Sequence, residues 1–370
     1  MDKIKRKSNI ELLRIIAMIL IISFHYVYKS GYVFDKLNYN SFVVKVFYFF
    51  GELGVNLFLL ITGYFMINGK FKLKKLIIMI VEVNFYYLLS ILIANKLGIY
   101  SITTKRSMIL SLFPIIFNKY WFVSAYILLY IFSPYINKLI KSLSKLEYQK
   151  LLLISLLIYS IIPTVFGIFY NNTETLLYYS RFIWAIIVYM IGGYIYSYGI
   201  KIYDTKLRAL CIAIISFSIM ILGMIVIYRY GNIFKKVGTT DISYFWPPNT
   251  IPMVILSISV FELFLKIDIG YNNVINKLAS TTLGVYILHD GILNQYMWQN
   301  IFKTKMNLNS KYSLFYILGT TALIFCLGAS IDLVRQVIEK KIMKRVENLK
   351  IWSRISQYSS KVMNKIYELL

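Results

Sequence analysis

The stretch NIELLRIIAMILIISFHYVY, residues 9–28, decides the fold. As a helix it is long and apolar enough to cross a bilayer, for which about 20 residues suffice. Yet it holds an arginine, Arg14, and a histidine, His25. A charged or titratable side chain is costly at membrane depth, so each needs a buried partner or a chemical task. The two stand eleven residues apart. That is close to three helical turns and ~16 Å of rise, so both side chains share one face. A membrane helix with a fixed cation at one level and a proton acceptor at another reads as half of a reaction centre.

Working outward, the whole chain has the same character. Of its 370 residues 58% are hydrophobic, and the apolar residues arrive in blocks of about twenty rather than on one helical face. The fold class is all-α: a polytopic membrane protein. About ten spans are expected, near 9–28, 43–67, 76–94, 119–137, 151–170, 182–198, 207–228, 250–266, 280–298 and 313–334. The ninth is softened by Ser280, Thr281, Thr282, His289 and Asp290, and Ser107 to Phe117 is too short to span. Lys3, Lys5, Arg6 and Lys7 precede the first block as they would a secretory signal. The apolar run is too long for one and lacks a small-x-small cleavage site, so a retained anchor is expected.

The net charge of +25 raises nucleic acid as a partner. Its placement between apolar blocks and in the C-terminal segment fits the anionic face of a membrane instead, and no nucleic-acid partner is expected. By the positive-inside rule both termini are cytoplasmic, in a multi-pass protein of the plasma membrane. Residues 1–335 read as one transmembrane domain. Residues 336–370 read as a cytoplasmic tail whose Lys and Arg alternate with Ile338, Ile342, Val346 and Trp352, a basic amphipathic stretch suited to lipid headgroups. With two cysteines, both inside apolar blocks, and two histidines, neither a disulfide framework nor a metal site is expected.

The chemistry is sought among polar residues a bilayer ordinarily excludes. They are Glu11, Arg14 and His25 in the first span, Glu52 and Asn56 in the second, and Glu82 and Asn84 in the third. Arg181 opens the sixth, Glu262 lies in the eighth, His289 and Asp290 in the ninth, and Asp332 in the tenth. Most such groups pair across helices or sit at interfaces. Two aligned on one helix, His25 and Arg14, are harder to explain by packing. The lysines after the second span, Lys70, Lys72, Lys74 and Lys75, are explained by positive-inside anchoring alone, or by docking of a phosphate-rich donor.

Four segments carry a resemblance. The R-x10-H spacing from Arg14 to His25 resembles the first helix of acyltransferase family 3, the multi-pass membrane O-acyltransferases. GELGVNLFLLITGYFM, from Gly51, resembles that family's next helix through Gly54, Val55, Phe58, Gly63 and Tyr64, with Thr62 where Ser is more usual. The segment from Tyr120 is similar through Trp121, Phe122, Tyr130 and Pro134. LASTTLGVYILHDGIL, from Leu278, is similar through Gly284, Tyr286 and His289. Two departures stand out. Lys70-Phe71-Lys72 replaces an Arg-x-Arg pair, keeping charge without the bidentate fork, and the acidic residue some members carry after Trp-Phe is absent. The resemblance is to the transmembrane-only branch, without an esterase-like domain.

It implies transfer of an acetyl or other short acyl group to a hydroxyl of a cell-surface polysaccharide or lipid-linked glycan. The donor is acetyl-CoA or another acyl-CoA, and no cofactor is bound permanently. His25 is the expected base or acyl carrier. Arg14 orients it through intervening groups, or holds the donor's phosphates or its thioester carbonyl. Lys70, Lys72, Glu52, Asn56, Tyr64, Trp121 and His289 are candidate substrate- or donor-binding groups. The rival reading is a transporter or flippase of a glycan or lipid precursor, since transporters also embed His, Glu and Arg. A third is a non-catalytic membrane partner of a polysaccharide assembly machine.

Overall fold

Backbone N–H and C=O groups in lipid find no water, so a chain this apolar satisfies them internally by forming helices. The computed structural model describes residues 7–34, 36–100, 102, 104–167, 180–231, 233 and 242–347, and among them there is no strand. Seven helices are long and apolar enough to cross a membrane. They are α1 (Ser8–Tyr28), α2 (Tyr39–Met66), α3 (Leu73–Lys96), α5 (Trp121–Ser142), α6 (Lys145–Phe166), α8 (Lys206–Arg229) and α12 (Ser313–Glu347, apolar as far as Ile342). Between them lie α4 (Lys105–Leu112), α7 (Arg181–Tyr198), α9 (Ile251–Leu265), α10 (Asn273–Ala279) and α11 (Thr282–His289). This is a polytopic all-α membrane protein.

Most expected spans coincide with a helix to within a few residues; the ninth does not. Residues 280–298 form no continuous helix. α10 stops at Ala279, α11 covers two turns and ends at His289, and a further broken turn follows from Asn294. The hydroxyls of Ser280, Thr281 and Thr282 bond the carbonyls of Lys277, Leu278 and Ala279 at 2.7–3.0 Å. Such side-chain bonding satisfies the backbone at a break that lipid alone forbids. At the other boundary α12 runs unbroken past residue 335 to Glu347. Residues 348–370 of the expected tail, and 168–170 of the expected fifth span, lie outside the described residues.

The centre of the bundle is α1 with α2 antiparallel beside it: Phe24 meets Gly51, Ala17 and Ile21 meet Gly54, and Lys7 reaches Tyr64. α7 runs parallel to α2, with Asn56 against Trp184 toward one end and Tyr64 against Tyr196 toward the other. Glycine makes that crossing possible. A Cβ at Gly63 would lie 2.0 Å from the Tyr189 carbonyl oxygen, and one at Gly192 would lie 2.4 Å from that of Leu60. Close backbone approach through small residues is how membrane helices gain packing energy, since burial from lipid supplies little. Gly63→Ala and Gly192→Ala are each expected to destabilise the protein by about 1–3 kcal/mol, the usual range for overpacking. A lower thermal midpoint in detergent would register it; an unchanged one would show that the crossing can open.

Pro134 interrupts α5 and removes the N–H that would bond the carbonyl of Tyr130. The Ser133 hydroxyl takes that place, donating to Tyr130 O at 2.8 Å. The outward faces are apolar, as Leu207, Ile214, Ile215 and Leu222 of α8 show, all exposed. The short segment after Thr104 likewise exposes Met108, Ile109 and Ile116.

Candidate active site

α10 and α11 lie alongside α1, because the Asn272 N–H donates to Ser8 Oγ at 2.8 Å near one end. Seventeen residues further along each strand of this pairing, near the other end, His25 meets His289. The broken ninth segment thus brings a second histidine to the first, 264 residues away in sequence. α11 ends at His289 because Asp290 and Gly291 follow. A Cβ at 291 would stand 2.9 Å from the Tyr120 hydroxyl.

The geometry assigns the protons. His289 Nδ1 lies 2.6 Å from the Val285 carbonyl oxygen. A carbonyl only accepts, so that nitrogen carries the hydrogen. In the neutral ring Nε2 is then a bare acceptor, and it lies 2.9 Å from His25 Nδ1. His25 therefore donates from Nδ1, and its own Nε2 is left with a free lone pair. That nitrogen faces Asp290 Oδ1 at 3.7 Å. The Asp290 carboxylate is fixed by the Tyr286 hydroxyl at 3.0 Å and, more weakly, by the Asn294 amide. Both histidines are buried. The arrangement is an imidazole oriented by another group, with a carboxylate placed to stabilise its protonated form.

A second group of side chains adjoins this pair through Tyr286. Its ring lies 6.4 Å from that of His25 and 5.9 Å from that of Phe122. Next to Phe122, Trp121 opens α5, and the Arg181 guanidinium stacks on its indole at 4.1 Å. Arg181 opens α7. Asn56 accepts from the Trp184 indole N–H at 3.0 Å and donates to Pro248 O and Ser257 Oγ at 2.8 and 3.1 Å. That network pins parallel helices together, and Glu52 and Arg181 stand one turn earlier on each.

The remaining sequence candidates lie at the opposite end. Arg14 is three turns from His25 and does not touch it; its Nε stands 3.6 Å from Glu11 Oε2, with the side chain 31% exposed. The group hydrogen-bonded to the His25 ring is His289. Tyr64 accepts from Lys7 at 3.4 Å, and Lys70 and Lys72 are exposed in the turn after α2, where the Lys72 N–H donates to the Tyr130 hydroxyl at 2.9 Å. The candidates therefore fall into two sets: Glu52, Trp121 and His289 toward the His25 end of α1, and Tyr64, Lys70 and Lys72 toward its Lys7 end.

Three residues of the centre had no assigned role in the sequence: Tyr286, Asp290 and Arg181. The spacing Tyr286, His289, Asp290 carried the signal, since i, i+3 and i+4 put all three on one helical face.

A family profile described as an acyltransferase domain matches residues 7–330. Neither a search of curated proteins nor one of solved structures found a match. The matched region contains both histidines, Arg14 and the Glu52–Arg181 group. The chain belongs to acyltransferase family 3.

Proposed function

We propose that this membrane acyltransferase moves an acetyl or other short acyl group from acyl-coenzyme A to a hydroxyl of a cell-surface polysaccharide or lipid-linked glycan. The observation that carries the reading is the bare Nε2 of His25, set by the hydrogen bond to His289. An acceptor hydroxyl placed at that nitrogen gives up its proton as its oxygen attacks the thioester carbonyl. The imidazolium that forms has the Asp290 carboxylate 3.7 Å away. Collapse of the tetrahedral oxyanion breaks the C–S bond, and the departing thiolate takes the proton back from His25. The ester and free coenzyme A leave, and the histidine regains its starting tautomer.

The donor enters from the Arg14 end in this reading. Arg14, Lys7, Lys70 and Lys72 supply cations for its phosphates there, and Tyr64 stands beside Lys7. The excess of Lys and Arg in the loops on that side supports a cytoplasmic placement, with both termini inside and the protein in the plasma membrane. Arg14→Gln is expected to raise the KM for acyl-CoA about tenfold with a smaller change in kcat, the pattern of lost donor binding. A fall in kcat alone would place Arg14 elsewhere in the cycle.

Asp290→Asn removes the charge facing His25 Nε2 while keeping the shape. Acyl transfer is expected to fall by roughly tenfold to a hundredfold, equivalent to ~1.4–3 kcal/mol of transition-state stabilisation. Initial rates with saturating acyl-CoA would show it; an undiminished rate would leave Asp290 as a partner of Tyr286 only. The function itself is tested by incubating the purified protein in liposomes with radiolabelled acetyl-CoA and surface glycan. Label is expected in the glycan as an alkali-labile ester. Movement of unlabelled glycan across the bilayer without ester formation would favour a transporter.

A further inference from the structure

Glu52, Trp121 and Arg181 form a group that the proton chemistry at His25 does not use. Trp121 and Arg181 open their helices, and Glu52 lies midway along α2. Gly51 packs on Phe24, which puts Glu52 within about one turn of the level of His25 on the neighbouring helix. A run of ring contacts joins Arg181 to the reaction centre: its guanidinium stacks on Trp121, Trp121 meets Phe122, Phe122 meets Tyr286, and Tyr286 borders the His25 ring. Unlike the histidines, Glu52 and Trp121 are only half-buried and Arg181 is exposed. Among the described residues Glu52 makes no hydrogen bond, and no ion pair within 4 Å joins it to Arg181. A carboxylate and a guanidinium one turn from the Asn56–Trp184 bond on neighbouring parallel helices, yet not closed on each other, offer an acceptor and a donor array to a ligand.

The chemistry of the three groups narrows the ligand. A phosphate or carboxylate would meet repulsion from Glu52, and a cation would meet Arg181. The pair together is neutral and offers hydrogen bonds of both senses, with an indole beside it. An uncharged hydroxylated ring satisfies all three: vicinal hydroxyls for the carboxylate and guanidinium, and a C–H face for the aromatic side chain. The cations this reading assigns to the donor's phosphates, Arg14, Lys7, Lys70 and Lys72, lie toward the other end of α1, three turns or more from His25. We infer that Glu52, Trp121 and Arg181 are the acceptor subsite, binding a neutral pyranose ring so that one of its hydroxyls reaches His25. The inference rests on the acyl-transfer reading above, and it adds where the sugar binds and which charge class of sugar is taken.

The test is a binding measurement that requires no turnover. Protein in nanodiscs is titrated calorimetrically with the methyl glycosides of glucose, galactose and N-acetylglucosamine. At least one is expected to bind the wild type. Arg181→Gln and Glu52→Gln are each expected to weaken that glycoside at least tenfold, with Arg181→Lys intermediate because charge survives without the planar fork. His25→Ala, which loses one hydroxyl contact but keeps the three subsite groups, is expected to weaken that glycoside less than either Gln variant while its acyl transfer falls at least a hundredfold. Each variant is first matched to the wild type for elution volume and thermal midpoint, so that loss of folding is not read as loss of binding. Absence of binding by all three glycosides, or undiminished binding by both Gln variants, overturns the subsite. Binding that responds to these variants, in a wild-type protein that moves no label from acetyl-CoA, would retain the subsite and overturn the acyl-transfer reading instead.

Discussion

His25→Ala, inserted in the membrane at the wild-type level, is expected to transfer acyl groups at least a hundredfold and up to about ten-thousandfold more slowly. That is the range over which a positioned general base contributes. The expectation follows from geometry rather than from the presence of a histidine as such. His25 Nε2 is the one imidazole nitrogen of the pair that makes no hydrogen bond within either ring's reach, because His25 Nδ1 is engaged by His289 and both nitrogens of His289 are engaged. His25→Gln keeps much of the shape without a titratable nitrogen and is expected to be as poor. The assay is label transfer from acetyl-CoA at matched protein level. A His25→Ala protein that works at the wild-type rate would move the chemistry to another group.

The second large effect is at His289. Replacing it with Phe fills the space but leaves His25 Nδ1 without its acceptor, so the ring is free to rotate or to move its proton to Nε2. Either change takes the base out of alignment, and a displacement of about 1 Å is enough to cost ~10²-fold. His289→Phe is therefore expected to lose about that factor. His289→Gln offers a carbonyl oxygen to His25 Nδ1 and is expected to retain more activity than the Phe variant. The ordering matters more than either value: a role in packing alone predicts that Phe, the bulkier apolar residue, is the better replacement. Comparing kcat for the two proteins separates the roles.

Much of this architecture was legible because lipid imposes simple rules. Long apolar blocks became helices, and His25 announced itself as a titratable group in a span. The ninth block was harder. Ser280, Thr281 and Thr282 are compatible with a helix, and only the structure shows their hydroxyls bonding carbonyls at a break. Arg14 shows the limit of periodicity: eleven residues do place it on the face of His25, but three turns keep the side chains apart. The partner His25 does have is fixed by packing of distant segments, which no local spacing encodes. Glu52 and Arg181 likewise stand on separate helices, α2 and α7, linked by the Asn56–Trp184 bond. Asn56 itself, a polar residue in a span, reads as a ligand group in the sequence, and in the structure its amide bonds Trp184, Pro248 and Ser257.

Because the chain has two histidines, nitrogen NMR of protein labelled with ¹⁵N-histidine reports on the reaction centre alone, and it is the most direct test of how His25 is prepared. At neutral pH both rings are expected to carry their hydrogen on Nδ1, with Nε2 bare, and a coupling is expected across the hydrogen bond from His25 Nδ1 to His289 Nε2. Protonation of His25 at Nε2 in the resting protein, or no coupling between the rings, would contradict the account.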